Sequence, residues 1–294
     1  MKKLTGAITA IVTPFKEDGS VDVAALKALV QFQINNGING IVPCGSTGEA
    51  MTLNTKEYAL VIETVVGEVK KRVPVIAGAG SNDTVRAIEF SKIAKKAGAD
   101  MLLHVSPYYN KPTPAGLVAH YKAIANSVDL PIVLYNVPGR TGSNVTAATV
   151  LDIAKKVEQV VAVKEASGNI LQMMEIIKGA PPYFSVLSGE DAITVPFIAV
   201  GGDGCISVVA NEVPKEFSDM VRFGLQGNFE KAKKLHYQLL DLMNVNFIES
   251  NPIPVKTALF LMGRIKEVLR LPLTKISDKN REVVTRVLKE GGWL

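Results

Sequence analysis

The 294-residue chain is 47% hydrophobic and 21% charged, an ordinary globular balance with enough residues to bury a large core. Its 33 basic and 28 acidic residues give a net charge of +5. The basic clusters Lys70-Lys71-Arg72, Lys95-Lys96 and Lys233-Lys234 fall at helix ends or on polar helix faces without interleaved aromatics, which argues against nucleic acid and for an enzyme that attracts small anions. Cys44 and Cys205 sit in apolar, strand-like runs and read as buried small hydrophobes, not a disulfide. The N-terminus offers neither a signal peptide nor a membrane span, so a cytoplasmic protein is expected.

Short β-branched or small apolar runs begin near Ala7, Ile41, Val75, Met101, Ile132, Val160, Phe184 and Cys205. Between them lie segments of helical spacing, such as Ala24, Leu26, Leu29, Val30 and Ile34. Eight such units predict parallel strands with right-handed crossovers. The expected fold is therefore α/β, a (β/α)8 TIM barrel, in preference to a doubly wound open sheet. Asn54-Thr55-Lys56-Glu57 and Asn82-Asp83-Thr84 supply helix starts, and Gly37 and Gly98 supply stops. After Gly227 the pattern is helical alone, over about 229–246, 255–262 and 277–289, broken by Pro252, Pro254 and Pro272. Residues 1–225 are thus expected to form the catalytic barrel and 226–294 a C-terminal helical appendage.

Chemistry in such barrels gathers where the strands end. After the second run, Gly45-Ser46-Thr47-Gly48-Glu49 sets two hydroxyls between glycines whose free N–H groups suit a carboxylate, although an ordinary turn would look the same. It lacks the lysine of a P-loop. After the fourth and fifth runs come Tyr108-Tyr109 and Tyr135-Asn136-Val137-Pro138-Gly139-Arg140, which offer phenols to pass protons and a guanidinium fork for a carboxylate. Lys164 ends the apolar run Val161-Ala162-Val163. An ammonium in such surroundings must snorkel to water, find a partner or give up its proton, and the free amine is a nucleophile toward carbonyls. Ser188-Gly189-Glu190-Asp191 follows the seventh run, where glycine lets substrate approach the backbone. The three histidines show no ligand spacing and no G-x-G-x-x-G follows a strand, so neither a catalytic metal nor a nicotinamide cofactor is expected.

In combination, the segments from Ala10-Ile11-Val12-Thr13-Pro14-Phe15 to Asn251-Pro252-Ile253-Pro254-Val255-Lys256 and Leu271-Pro272-Leu273 resemble the dihydrodipicolinate synthase family. That family lies within the pyruvate-dependent class I aldolases, which include N-acetylneuraminate lyase. The superfamily's Y-N-x-P and K-E signatures stand at Tyr135 to Pro138 and at Lys164-Glu165. The resemblance implies that Lys164 forms a Schiff base with pyruvate. It implies that Tyr135 shuttles protons through Ser46 and through Tyr109, the last reaching into a neighbouring subunit's site. Thr47 would hold the pyruvate carboxylate, Gly189 and Ile206 would line the pocket, and Arg140 would orient the carboxylate of aspartate semialdehyde. No metal or organic cofactor is implied, and no nucleic-acid or membrane partner. A homo-oligomer is implied, by family habit a dimer of dimers.

Ser46 departs from the threonine of most synthases and is common in the lyase branch. It keeps both donor and acceptor, so the relay survives, and a sugar-acid aldolase such as N-acetylneuraminate lyase or 2-keto-3-deoxygluconate aldolase stays as the alternative. A non-catalytic barrel that binds a keto acid is disfavoured by the complete set of Lys164, Tyr135, Tyr109 and Ser46. Lysine-sensitive members of the family carry a glutamate four residues after an asparagine. Here Asn82 is followed by Arg86, and Thr55 and Tyr58 replace the accompanying histidines. Weak or absent inhibition by lysine is expected.

Overall fold

In the computed structural model, which describes residues 3–294, the eight apolar runs close into a barrel. Its strands are β1 (Gly6–Ala10), β2 (Gly40–Val42), β3 (Ile76–Gly78), β4 (Met101–Val105), β5 (Ile132–Asn136), β6 (Val160–Glu165), β7 (Ser185–Ser188) and β8 (Gly204–Ser207). They run parallel in the order β2-β1-β8-β7-β6-β5-β4-β3. The remaining seam is closed by a parallel bridge between Ile41 and Val75 and by the Gly78 N–H donating to the Pro43 carbonyl at 2.9 Å.

Helices fill the crossovers where the sequence starts and stops them. Asn54 accepts from the Lys56 and Glu57 N–H groups while the Glu57 carboxylate accepts from the Asn54 N–H, and Asp83 accepts from Val85. Gly37 and Gly98 end their helices at φ of 85° and 90°, in the left-handed region that costs glycine least.

Side chains alternate between two apolar layers. Ile8, Val42, Ile76, Leu103, Val133, Tyr135, Leu187 and Ile206 fill the barrel interior. Ile41, Val75, Leu102, Ile132, Leu134, Val163, Val186 and Cys205 pack outward against the helices. One strand breaks the alternation. Ile132 pairs with Val160 but Val133 pairs with Ala162, so Val161 is an extra residue in β6.

Beyond the barrel lie helices Phe229–Val245, Ile253–Leu261 and Asp278–Glu290. The middle helix starts two residues before the position expected from its prolines, because a proline in the first turn gives up only an N–H that has no intrahelical partner anyway. This C-terminal region is more than an appendage on the surface. Phe247, Ser250, Asn251, Pro252, Pro272 and Leu273 reach the C-terminal mouth of the barrel and wall its cavity.

Candidate active site

A cavity of about 470 Å³ opens at the C-terminal ends of the strands. Parallel pairing sets Tyr135 of β5 directly beside Lys164 of β6. Lys164 is only 6% exposed. Its Nζ lies 4.4 Å from the centroid of the Tyr135 ring, and among the described residues it has no ion-pair or hydrogen-bond partner. The aromatic face offers an ammonium modest attraction but accepts no hydrogen bond, so the amine stays available to a ligand.

Gly189, at the end of β7, makes room for that amine. A Cβ there would stand 3.0 Å from Lys164 Cε and 2.6 Å from the Ala166 Cβ. Any larger residue would therefore clash with Ala166 and crowd the lysine stem.

The turn after β2 is held by the Gly48 N–H donating to the Gly45 carbonyl and the Glu49 N–H donating to Ser46. Thr13 donates its hydroxyl to the Gly48 carbonyl at 2.7 Å. Ser46 is exposed on the cavity wall, whereas Thr47 is buried and its Oγ1 accepts from Asn251 Nδ2 at 3.0 Å. Arg140, on the single helical turn Pro138–Thr141, donates from Nη2 to the Asn251 carbonyl at 3.1 Å. Asn251 thus touches both anion-binding candidates, one with its side chain and one with its backbone.

Lys164, Tyr135, Ser46, Thr47, Arg140 and Gly189 therefore share one cavity. Two of the expected site residues do not join them. Ile206 faces the barrel interior like Tyr135 but is fully buried, level with Ile8 and so beneath Ala10, which does line the cavity. Tyr109 is 88% exposed and lies outside the cavity, on a backbone with φ of 69°, while its neighbour Tyr108 does line it. Among the described residues, no three of His, Cys, Asp or Glu are grouped to hold a metal ion.

The sequence reading missed the part played by the C-terminal region. Lys256 is fully buried and ion-paired with Glu49, two residues after Thr47. Arg270 donates its N–H to the same carboxylate and its guanidinium to the Glu57 carboxylate and the Thr52 carbonyl. The signal was a lysine in an otherwise apolar helix. Asn251 was visible in the Asn-Pro-Ile-Pro-Val-Lys run, but nothing in that run says which wall it forms.

The geometry brings a buried amine, two hydroxyls and a guanidinium to one cavity, and comparison with known proteins supplies the family. The sequence matches the Dihydrodipicolinate synthetase family over residues 3–291. The chain belongs to that family. It is 52% identical over 293 residues to the 4-hydroxy-tetrahydrodipicolinate synthase of Koribacter versatilis, covering 99% of this chain and 97% of that one. Among solved structures, dihydrodipicolinate synthase from Thermotoga maritima superposes with a TM-score of 0.97 at 44% identity, covering 99% of each chain. A relative from Cyanidioschyzon merolae, solved with lysine bound, superposes with a TM-score of 0.96 at 41% identity, covering the whole of both chains. Membership in this family makes the protein an enzyme of the lyase class. No described helix is long and apolar enough to cross a membrane.

Proposed function

We propose that the enzyme condenses pyruvate with L-aspartate 4-semialdehyde to give 4-hydroxy-tetrahydrodipicolinate. The observation that carries this reading is the partnerless Lys164 amine against Tyr135, at the base of a cavity that also holds Thr47 and Arg140. In its free-base form the amine attacks the ketone carbon of pyruvate, and the carbinolamine loses water to an imine. Protonated, the imine nitrogen draws electrons from the adjacent methyl, which loses a proton to give an enamine. The enamine carbon attacks the semialdehyde, and the substrate's own amino group then displaces Lys164 as the product cyclises.

Tyr135 carries protons to and from these centres, with Ser46 and Tyr109 as the relay behind it. Thr47 holds the pyruvate carboxylate through its hydroxyl and N–H, Gly189 clears the path of the lysine, and Arg140 takes the carboxylate of the second substrate. The exposure of Tyr109 supports its serving the site of a second copy, so the active species is a homo-oligomer built on a dimer. Residues 1–225 carry the chemistry and 226–294 complete its wall through Asn251.

A coupled assay that offers pyruvate with aspartate semialdehyde, N-acetylmannosamine or glyceraldehyde in parallel tests the substrate. Preference for aspartate semialdehyde is expected, and preference for either sugar aldehyde would replace this reading with a sugar-acid aldolase.

A further inference from the structure

Asn136 and Glu165 each follow a reacting residue by one position, so alternation turns them to the outer face of β5 and β6, behind Tyr135 and Lys164. They are register partners. Asn136 Nδ2 lies 3.1 and 2.9 Å from the two Glu165 carboxylate oxygens. Glu165 is fully buried with no cation paired to it among the described residues, and it also accepts from the Ser167 N–H at 2.8 Å and from Gln172 Nε2 at 3.1 Å. Asn136 is fixed in turn, accepting from the Val145 N–H and donating to Asn144 Oδ1, both at 2.9 Å. A buried carboxylate without a cation is an expensive way to join two strands, since apolar side chains of similar volume would do so without the desolvation.

The extra residue in β6 shows what the carboxylate secures. Val160 packs outward, and both Val161 and Ala162 then face the interior, after which Val163 packs outward and Lys164 faces in. Without the bulge, alternation from Val160 would bring Val163 opposite Tyr135 and send Lys164 outward, opposite Asn136. Only the bulged phase sets Glu165 against Asn136. We propose that Glu165 is a positioning residue, which through Asn136 locks β6 in the phase that holds Lys164 inside the barrel against Tyr135.

This inference rests on Lys164 being the imine-forming lysine. The test is the rate of borohydride-trapped pyruvate adduct formation at saturating pyruvate, with the melting temperature measured alongside. Glu165→Gln sets an amide N–H where donors already point, and the adduct should form on the order of 10- to 100-fold more slowly, the scale of a misplaced reacting group. Asn136→Asp combined with Glu165→Gln reverses donor and acceptor in their shared bond and, with the Asn144 and Gln172 amides turned over to match, should restore most of the rate, which loss of stability alone would not. Should Glu165→Gln not fold, Asn136→Ser, which leaves Ser167 and Gln172 on the carboxylate, gives the same readout. A folded single variant with the wild-type rate, or a double variant no faster than Glu165→Gln, would overturn the proposal. Lys164→Ala separates the two ideas. An adduct that persists on it refutes the imine assignment, whereas its loss there beside a wild-type rate in Glu165→Gln refutes only the positioning role.

Discussion

Lys256 and Lys164 are both buried, at 0% and 6% exposure, and both amines lie against an aromatic ring, 4.3 Å from the Phe15 centroid and 4.4 Å from that of Tyr135. Lys256 donates to the Glu49 carboxylate and, at 3.1 Å, to the Thr13 carbonyl. Burial, with a smaller push from the Arg270 charge, holds its pKa below the ordinary lysine range, and Glu49 opposes that shift. Lys164 has the ring and no acceptor. Burial and an aromatic neighbour are therefore not what makes a lysine reactive. Among the described residues, the absence of a carboxylate partner is what separates the lysine that fastens the mouth of the barrel from the one whose amine is left unpaired in the cavity.

Removing each amine should break the comparison in opposite directions. Lys256→Met strands Glu49 as a buried, unpaired charge and should cost about 3–5 kcal/mol in denaturant unfolding. Adding Glu49→Gln should recover most of that loss, and a Lys256→Met single variant as stable as wild type would show that the pair does not hold the turn. Lys164→Met should leave stability unchanged or raised, because it deletes a cation without stranding an anion.

Two histidines carry the same logic into acid. His104, on β4, and His120, on the helix Pro114–Ser127 that follows it, are held down to about 3 and about 4 from the usual 6.5, chiefly by burial. Between pH 6.5 and 4 the unfolded chain binds protons that the folded chain refuses, so stability present at neutral pH is lost as the pH falls. Each histidine should contribute a slope of up to about 1.4 kcal/mol per pH unit. Unfolding measured across that range should flatten in His120→Gln, and an unchanged slope would mean that other groups dominate.

Tyr109 tests whether the open lysine is completed from outside its own chain. Mixing inactive Lys164→Ala with inactive Tyr109→Phe chains should restore part of the activity in hybrid dimers. No rescue, with hybrids shown to form, would return Tyr109 to its own subunit or to no role. The smallest effect concerns lysine as a ligand. Arg86 is exposed and stacks 5.4 Å from the Phe90 ring centroid, and buried Tyr58 donates its hydroxyl to the Gly78 carbonyl at 2.9 Å. A guanidinium where lysine-sensitive members are expected to carry glutamate would repel an incoming ammonium by about 4 kcal/mol at contact distance and an effective dielectric near 20. Titrating lysine at saturating pyruvate should therefore leave activity nearly unchanged, and inhibition at sub-millimolar lysine would contradict this.

Most of the barrel was legible because strands buried on both faces leave short continuous apolar runs, and those runs and the helix caps are local. All eight strands lie where apolar runs begin, and Asn54 and Asp83 cap as their spacing suggests. The site was legible where chemistry is unusual for its setting, as with an amine ending a β-branched run. What stayed hidden depends on long-range closure. Glu49 and Lys256 are 207 residues apart in sequence, and only the folded chain shows that the charge at Lys256 is cancelled while that at Lys164 is not. The Val161 bulge was equally hidden, since Val160 to Val163 is a uniformly apolar run in which an extra residue leaves no mark. Ile206 was expected on the pocket wall; it faces the interior, but level with Ile8 and below the cavity, a depth set by strand register across the barrel.

The most direct test of the partnerless lysine is borohydride reduction with pyruvate followed by peptide mapping. One pyruvate-derived adduct is expected, on the peptide carrying Lys164, with none on Lys164→Arg because the guanidinium stays protonated. An adduct on Lys256, or one that persists in Lys164→Arg, would contradict the claim that the unpaired amine is the nucleophile.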